Sequence, residues 1–142
     1  MRSLLVLVLA ACSPQLQTVQ LVNKTSRQIE QVFVYPIGSP DHGPSRTSLA
    51  PNATTSLQFA QGNLEVMAVS AKVTIDEHTR DRPTASGGVE LRGPMQVIFY
   101  DADAKPAEVD RPGVIGVPFT VRASNPSPNP SPDPSQDLPP RQ

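Results

Sequence analysis

The stretch IEQVFVY at positions 29–35 decides the fold class of this chain. It is rich in β-branched and aromatic residues, which favour strands. Its apolar residues fall on both alternating parities, and successive side chains of a strand point to opposite faces. The pattern therefore predicts a strand that is covered, at least in part, on both faces.

Similar short strands are predicted on both sides of this segment. The apolar patterns place them from residue 18 and at 29–35, 55–59, 64–69, 71–75, 89–91, 95–100 and 114–121. Many short strands without an amphipathic helix predict an all-β domain over residues 18–122, a single antiparallel β-sandwich. This arrangement resembles the immunoglobulin-like fold, although the Cys–Trp–Cys signature is absent; a small β-barrel is the alternative.

Three local signals refine this prediction. Residues 50–53 (Ala-Pro-Asn-Ala) have the composition of a type I turn. The apolar residues of 64–69 and 71–75 lie on opposite parities, which requires a bulge or a break near residues 68–70. Pro118 cannot donate to a ladder, so the last strand is predicted to be bulged or at an edge.

Residues 1–12 have the organisation of an export signal. Arg2 is followed by an apolar run over 4–9 and by two alanines. The run is too short to span a bilayer as a helix, which takes about 20 residues. Residues 9–12, Leu-Ala-Ala-Cys, match the lipobox of bacterial lipoproteins. The resemblance is confined to this segment.

The resemblance implies that the chain is cut before Cys12 and that the Cys12 sulfur carries a diacylglycerol with palmitate-type chains. Two or three acyl chains anchor a protein stably, whereas one does not. Residues 1–11 are then a signal peptide and 12–17 a lipidated tether. Ser13 implies a bacterial outer membrane, facing the periplasm or the cell surface. The alternatives are an ordinary signal peptide cleaved near Ala11 and a buried apolar strand with an inert cysteine.

Residues 123–142 repeat Asn-Pro, Ser-Pro and Asp-Pro pairs. Such a segment cannot form a core, so the sequence predicts a disordered tail with polyproline II character. The tail is interpreted as a solvated spacer or as a docking peptide for an envelope protein partner.

Composition limits the classes of function. The net charge is −1, with 12 basic and 13 acidic residues, and the signs are interspersed, so no nucleic acid partner is expected. Aromatic residues make up only 4% of the chain, which leaves few platforms for stacking bases. A single cysteine excludes an internal disulfide. Two glycosylation-like sequons, at Asn23 and Asn52, are interpreted as turns.

No motif indicates catalysis or a resident cofactor. Neither His42 nor His78 stands at a metal-ligand spacing. The segment 76–81 (Asp-Glu-His-Thr-Arg-Asp) could in principle hold a metal ion but is better interpreted as a solvated charged loop. Asp101 and Asp103 match only the start of a calcium loop. We therefore expect no metal, no cofactor and no enzymatic activity.

The predicted loops at residues 36–48 and 76–88 are the best candidates for a binding site, because long loops in compact domains are often functional. The candidate contacts on or beside these loops are Tyr35, His42, Arg46, Arg80 and Arg82. The sequence as a whole predicts a lipid-anchored envelope protein with a non-catalytic binding or structural module. The alternatives are a small enzyme or metal-dependent protein that uses the 76–88 loop, and an assembly factor that recruits a partner through its tail.

Overall fold

A computed structural model describes residues 15–121. The signal peptide, Cys12 and the proline-rich tail predicted from the sequence lie outside these residues. The described part contains ten strands and one turn of 3-10 helix over Ala107–Asp110. The strands are β1 (Leu16–Asn23), β2 (Ile29–Pro36), β3 (Thr47–Leu49), β4 (Thr54–Ala60), β5 (Gly62–Ser70), β6 (Val73–Thr74), β7 (Arg80–Asp81), β8 (Thr84–Leu91), β9 (Met95–Asp101) and β10 (Val114–Phe119).

Eight of these strands form two packed four-stranded sheets. One sheet has the spatial order β10-β9-β1-β4, and we call it the mixed sheet. The other has the order β3-β2-β5-β8, and all its neighbours are antiparallel, so we call it the antiparallel sheet. Strands β6 and β7 form a separate hairpin. The domain is therefore an all-β fold with two layers, as the sequence predicts.

The prediction of a purely antiparallel sandwich is wrong for the mixed sheet. Strand β1 is antiparallel to β4, but it is parallel to β9, and β9 is parallel to β10. Adjacent parallel strands need a long crossover to return the chain to the same end of the sheet. Residues 102–113, which include the 3-10 turn, supply that crossover between β9 and β10.

The main core fills the space between the two sheets. The mixed sheet contributes Val19, Leu21, Val97, Phe99, Val117 and Phe119, and the antiparallel sheet contributes Ile29, Val32, Val34, Leu49, Val66, Ala68, Ala85, Val89 and Leu91. Each strand presents alternate residues to this space. On β4, Leu57 and Phe59 pack against the core.

A second, smaller cluster lies on the outer face of the mixed sheet. Val22, Ile98 and Tyr100 are buried there beneath Val109 and Val114. Val109 belongs to the 3-10 turn of the crossover, so the crossover acts as a lid over this face. This explains why the apolar residues of β9 occupy both parities.

The strands define two ends of the sandwich. At the Leu16 end, β1, β5, β9 and β10 begin and β2, β4 and β8 finish. At the opposite end, which we call the Arg27 end, β1 passes to β2 and the β6–β7 hairpin follows β5. The described chain starts at the Leu16 end and stops at the Arg27 end, because β10 runs parallel to β1 through β9.

Several predicted details are confirmed. The phase change after residue 69 is a break: β5 ends at Ser70, and the partner strand β2 has a register shift between Ile29 and Gln31. Pro118 lies on an edge strand, since β10 pairs with β9 alone. The first strand begins at Leu16 rather than Thr18, because Leu16 and Gln17 continue the ladder with β4.

The turn at residues 50–53 differs from its predicted type. The N–H of Ala53 donates to the Ala50 carbonyl at 3.0 Å, as in any hydrogen-bonded turn. However, Asn52 has a positive φ of 59°, which belongs to the third position of a type II turn rather than type I. Asparagine tolerates this left-handed conformation because its side chain can hydrogen-bond locally.

Strand β8 is longer than the sequence predicts. It runs over Thr84–Leu91, so Gly87 and Gly88 are strand residues and not a turn. A Cβ atom at Gly87 would lie 3.2 Å from Cγ2 of Val117, so this glycine allows β8 and β10 to approach closely. Glycine in a strand often marks such an approach. The loop predicted over 76–88 is correspondingly short.

No helix among residues 15–121 is long and apolar enough to cross a membrane.

Candidate functional site

The predicted lipidation residue, Cys12, lies outside the described residues. The structure does show where the chain that follows it enters the domain. Gln15 is the first described residue and Leu16 is the first residue of β1. The Gln15 carbonyl accepts a hydrogen bond from the N–H of Gln61 at 3.3 Å. Gln61 lies in the tight turn between β4 and β5, so the chain is attached to the sandwich immediately after residue 14.

This turn at the Leu16 end is flanked by two exposed apolar side chains. Leu16 is 54% exposed and pairs with Ala60, just before the turn. Ile37 is 55% exposed, and its N–H donates to the Asn63 carbonyl at 3.0 Å, just after the turn. They are the two large apolar residues exposed within the described chain, and both lie at the end where the N-terminal segment enters.

Two of the predicted contact residues, Tyr35 and His42, are brought together on the outer face of the antiparallel sheet. The His42 ring lies 4.3 Å from the Phe33 ring and 6.4 Å from the Tyr35 ring, between centroids. Its Nδ1 lies 2.7 Å from the Gly43 carbonyl. Because a carbonyl only accepts, Nδ1 carries the proton of this hydrogen bond. The long loop thus folds back and buries Phe33.

Arg46 lies elsewhere, at the open edge between the two sheets. Its backbone N–H donates to the Val32 carbonyl at 2.7 Å. Its guanidinium stands 6.0 Å from the centroid of the Phe59 ring, a distance compatible with a cation–π contact. Phe59 belongs to β4 in the mixed sheet, so Arg46 covers the core where the very short strand β3 leaves it open.

Arg80 and Arg82 lie in and after the β6–β7 hairpin, at the Arg27 end. Arg82 forms an exposed ion pair with Glu30, at 3.4 Å. Glu30 is near the start of β2, whereas Tyr35 is near its end. The five predicted contacts therefore occupy three separate places, and the two loops do not form one common site.

The charged segment 76–79 is a closed turn. The carboxylate oxygen Oδ1 of Asp76 accepts the N–H groups of His78 at 2.8 Å and Thr79 at 2.7 Å. The His78 hydrogen bond, followed by those from Thr79, lowers the pKa of Asp76 below the ordinary aspartate value of 3.8. The Asp76 carboxylate therefore has a structural role in this turn, which explains its presence without a bound ion.

The Asp101 carboxylate has a similar internal role. Its two oxygens each accept from the Arg27 guanidinium, at 2.6 and 2.9 Å, in a bidentate ion pair. A calcium ion would have to compete with this pair for the same oxygens. Within residues 15–121, no group of three or more His, Cys, Asp and Glu side chains is arranged to hold a metal ion.

Sequence reasoning missed the most connected polar cluster, which is centred on Asn23 at the Arg27 end. Asn23 is completely buried. Its Nδ2 donates to the carbonyls of Arg27, Leu49 and Ala50, at 2.8 to 3.1 Å. Its Oδ1 accepts from the backbone N–H and the hydroxyl of Thr25, at 2.9 and 2.7 Å. In the sequence, this cluster is indicated only by the Asn-x-Thr motif at the end of the first strand. The same motif is equally compatible with an exposed turn.

Arg27 joins this cluster to the ends of three other strands. Its Nε donates to the Ser70 hydroxyl at 3.0 Å, and its guanidinium lies 5.7 Å from the Phe119 ring centroid. A depression of about 450 Å³ opens beside it and is also lined by Asp103 and Val121. All buried side-chain nitrogen and oxygen atoms of the described residues have hydrogen-bond partners. The cluster is thus a saturated network whose groups bind each other.

Comparison with known proteins adds no assignment. No protein-family model matches the chain, and no curated protein or solved structure matches it either.

Proposed function

We propose that the protein is a bacterial lipoprotein whose β-sandwich is held at the cell envelope by lipid on Cys12. One observation carries the proposal: the lipobox-like residues 9–12 stand immediately before a folded domain, whose first strand begins at Leu16. A sulfur-linked diacylglycerol supplies the two chains that a stable anchor needs. Ser13 supports the outer membrane as the final location, facing the periplasm or the cell surface.

Mass spectrometry of the mature N-terminus tests the anchor. The full chain is expressed in a bacterium and recovered from membranes. The expected N-terminal peptide begins at Cys12 and carries the added mass of a diacylglycerol. The Cys12→Ser variant is the control, and it should lose both the added mass and the processing before residue 12. An unmodified thiol at Cys12, or a wild-type protein that stays in the soluble fraction, would contradict the proposal.

The proposed role of the domain is that of a non-catalytic binding or structural module. The polar side chains of Asn23, Arg27 and Asp101 support this role, because their hydrogen bonds join them to one another. They therefore stabilise the fold. The outer face carrying Tyr35 and His42 is the better place for a partner protein, because it combines partly exposed aromatic and polar groups. Exchanging Tyr35 for Ala should weaken such binding without unfolding the domain.

The immunoglobulin-like assignment belongs to the same proposal. Two four-stranded layers that enclose a single core support it. The parallel pairing of β1 with β9 and of β9 with β10 departs from the two antiparallel sheets of that fold.

Recruitment of a partner by the proline-rich tail is a second candidate function. It is favoured by the position of Val121, which lies at the Arg27 end beside the depression, opposite to Leu16. The tail is therefore attached to the domain at the end opposite to Leu16. A version lacking residues 123–142 should remain anchored but lose a partner that the full chain captures from envelope extracts. An unchanged set of partners would count against the tail.

A further inference from the structure

We propose that the Leu16 end of the sandwich rests on the lipid surface, with Leu16 and Ile37 in the interfacial layer and the Arg27 end facing away. The inference rests on the proposed lipidation of Cys12, and it adds an orientation that lipidation alone does not define. A domain on a long tether presents any of its sides to the membrane. In this chain, by contrast, only three residues separate Cys12 from β1. Two large apolar side chains are also exposed at the end where β1 begins.

The tether is short because only residues 13–15 separate Cys12 from β1. Four Cα steps span at most about 14 Å. Gln15 is already hydrogen-bonded to the β4–β5 turn through Gln61, so only residues 13 and 14 lie between Cys12 and the folded domain. The turn must therefore lie close to the lipid-bearing sulfur. The Arg27 end is one strand length farther away, about 26 Å for an eight-residue strand.

The apolar contact comes from Leu16 and Ile37. A single exposed apolar side chain needs no explanation. Here, however, the two exposed large ones flank the same turn, beside the point where the tether attaches. Apolar side chains of membrane-surface proteins insert about 5–10 Å into the boundary between headgroups and acyl chains. Side chains at the end of a short tether can reach that depth without lifting the domain.

Fluorescence quenching on vesicles tests the orientation. The lipidated full chain is reconstituted in vesicles of phosphatidylethanolamine and phosphatidylglycerol that contain a headgroup-attached spin label. A fluorophore is attached to a single introduced thiol, in Asn63→Cys at the Leu16 end or in Ser26→Cys at the Arg27 end. Both positions are exposed, and lipidation consumes the natural thiol of Cys12. Flotation of the same vesicles reports the anchor separately.

The expected result is quenching several-fold stronger at position 63 than at position 26. Equal quenching in protein that floats with the vesicles would show a freely tumbling domain. Stronger quenching at position 26 would show the inverted orientation. Either result overturns the orientation but leaves the anchor intact. Protein that fails to float overturns the anchor, and the orientation with it.

A pair of variants tests the apolar contact. Combining Leu16→Ser with Ile37→Ser should reduce quenching at position 63 toward the level at position 26, while flotation is unchanged. Combining Leu16→Met with Ile37→Val keeps the apolar character and should keep the wild-type quenching. Unchanged quenching in the serine variant would remove both side chains from the proposed contact.

Discussion

The two ends of the sandwich are built in opposite ways. At the Arg27 end, Asn23 and the Arg27–Asp101 ion pair are largely buried and tie together the ends of several strands. At the Leu16 end, the apolar side chains of Leu16 and Ile37 remain exposed. One end uses its polar groups to hold the fold, whereas the other leaves its surface free for an external contact.

This difference separates stability from function along the length of one small domain. A buried, saturated polar group cannot be removed cheaply, because its partners stay buried. An exposed side chain that no neighbour needs can be changed at little cost to folding. Substitutions at the two ends should therefore have different consequences for stability.

The largest effect is expected for Asn23→Ala. The change removes the hydrogen bonds to the carbonyls of Leu49 and Ala50 and leaves these acceptors without their partner in a buried region. We expect the free energy of unfolding to fall by about 3 kcal/mol. Urea denaturation measures it. Asn63→Ala, at the exposed Leu16 end, is the matched control. Equal losses of stability in the two variants would contradict the proposed difference between the two ends.

A somewhat smaller loss is expected for Gly116→Ala, at the lid between the two ends. The added methyl group would overlap Cγ1 of Val109 and lie 2.8 Å from Cε1 of Tyr100. Overpacking of this kind costs about 1–3 kcal/mol. Thermal or urea unfolding measures it. Gly93→Ala has open space around the new Cβ and should leave stability nearly unchanged. A wild-type midpoint for Gly116→Ala would show that the lid is loose.

The Asp101→Asn variant tests the ion pair. Arg27 and Asp101 are 17% and 21% exposed, so the lone guanidinium would remain mostly out of water. We expect a loss of about 1–2 kcal/mol, below the range for fully buried pairs. Adding Arg27→Met should restore part of that loss. A double variant whose losses simply add would mean that the two side chains do not stabilise one another.

A local pH effect is expected at Asp76. Its pKa is lowered in the folded state by the N–H groups of His78 and Thr79. The stabilisation is therefore present at pH values above the unfolded pKa and disappears as the pH falls through the lower, folded one. NMR should show the amide signals of residues 78 and 79 changing below pH 3.8, the ordinary aspartate pKa. Titration above that pH would contradict the turn geometry.

The smallest effect on stability is expected for Ile37→Ser. The side chain is 55% exposed, and surface changes of this kind stay within about 0.5 kcal/mol. The same change is expected to alter contact with vesicles, so it separates the two roles of the Leu16 end. A large loss of stability, seen by urea unfolding, would show that the fold depends on Ile37 and would contradict the proposed difference between the two ends.

Much of the fold is predictable from the sequence because alternation is a local signal. The segment 29–35 predicted a strand covered on both faces, and His42 indeed covers the outer face of β2 at Phe33. Pro118 predicts a bulged or an edge strand, because proline has no N–H to donate to a neighbouring strand, and β10 is an edge strand. The break after residue 69 followed from side-chain parity alone.

Other features depend on contacts between distant residues, which no local pattern contains. Gly87 is a strand residue because Val117 of another strand approaches it. The parallel pairing of β1 with β9 joins segments far apart in the chain. Asn23 is buried because carbonyls from the β3–β4 region turn toward it. The candidate contacts were predicted on loops, but loop composition does not determine where a loop folds.

The parallel course of β1, β9 and β10 has a mechanical consequence. A pulling force between residue 15 and residue 121 would act along these strands, from the start of the first to the finish of the last. Ladder hydrogen bonds lie across the strands, so this force must shear many of them at once instead of unzipping them singly. The domain would then transmit tension lengthwise, as a stiff link. Single-molecule stretching from these two points should show a high rupture force, and easy unravelling would disprove it.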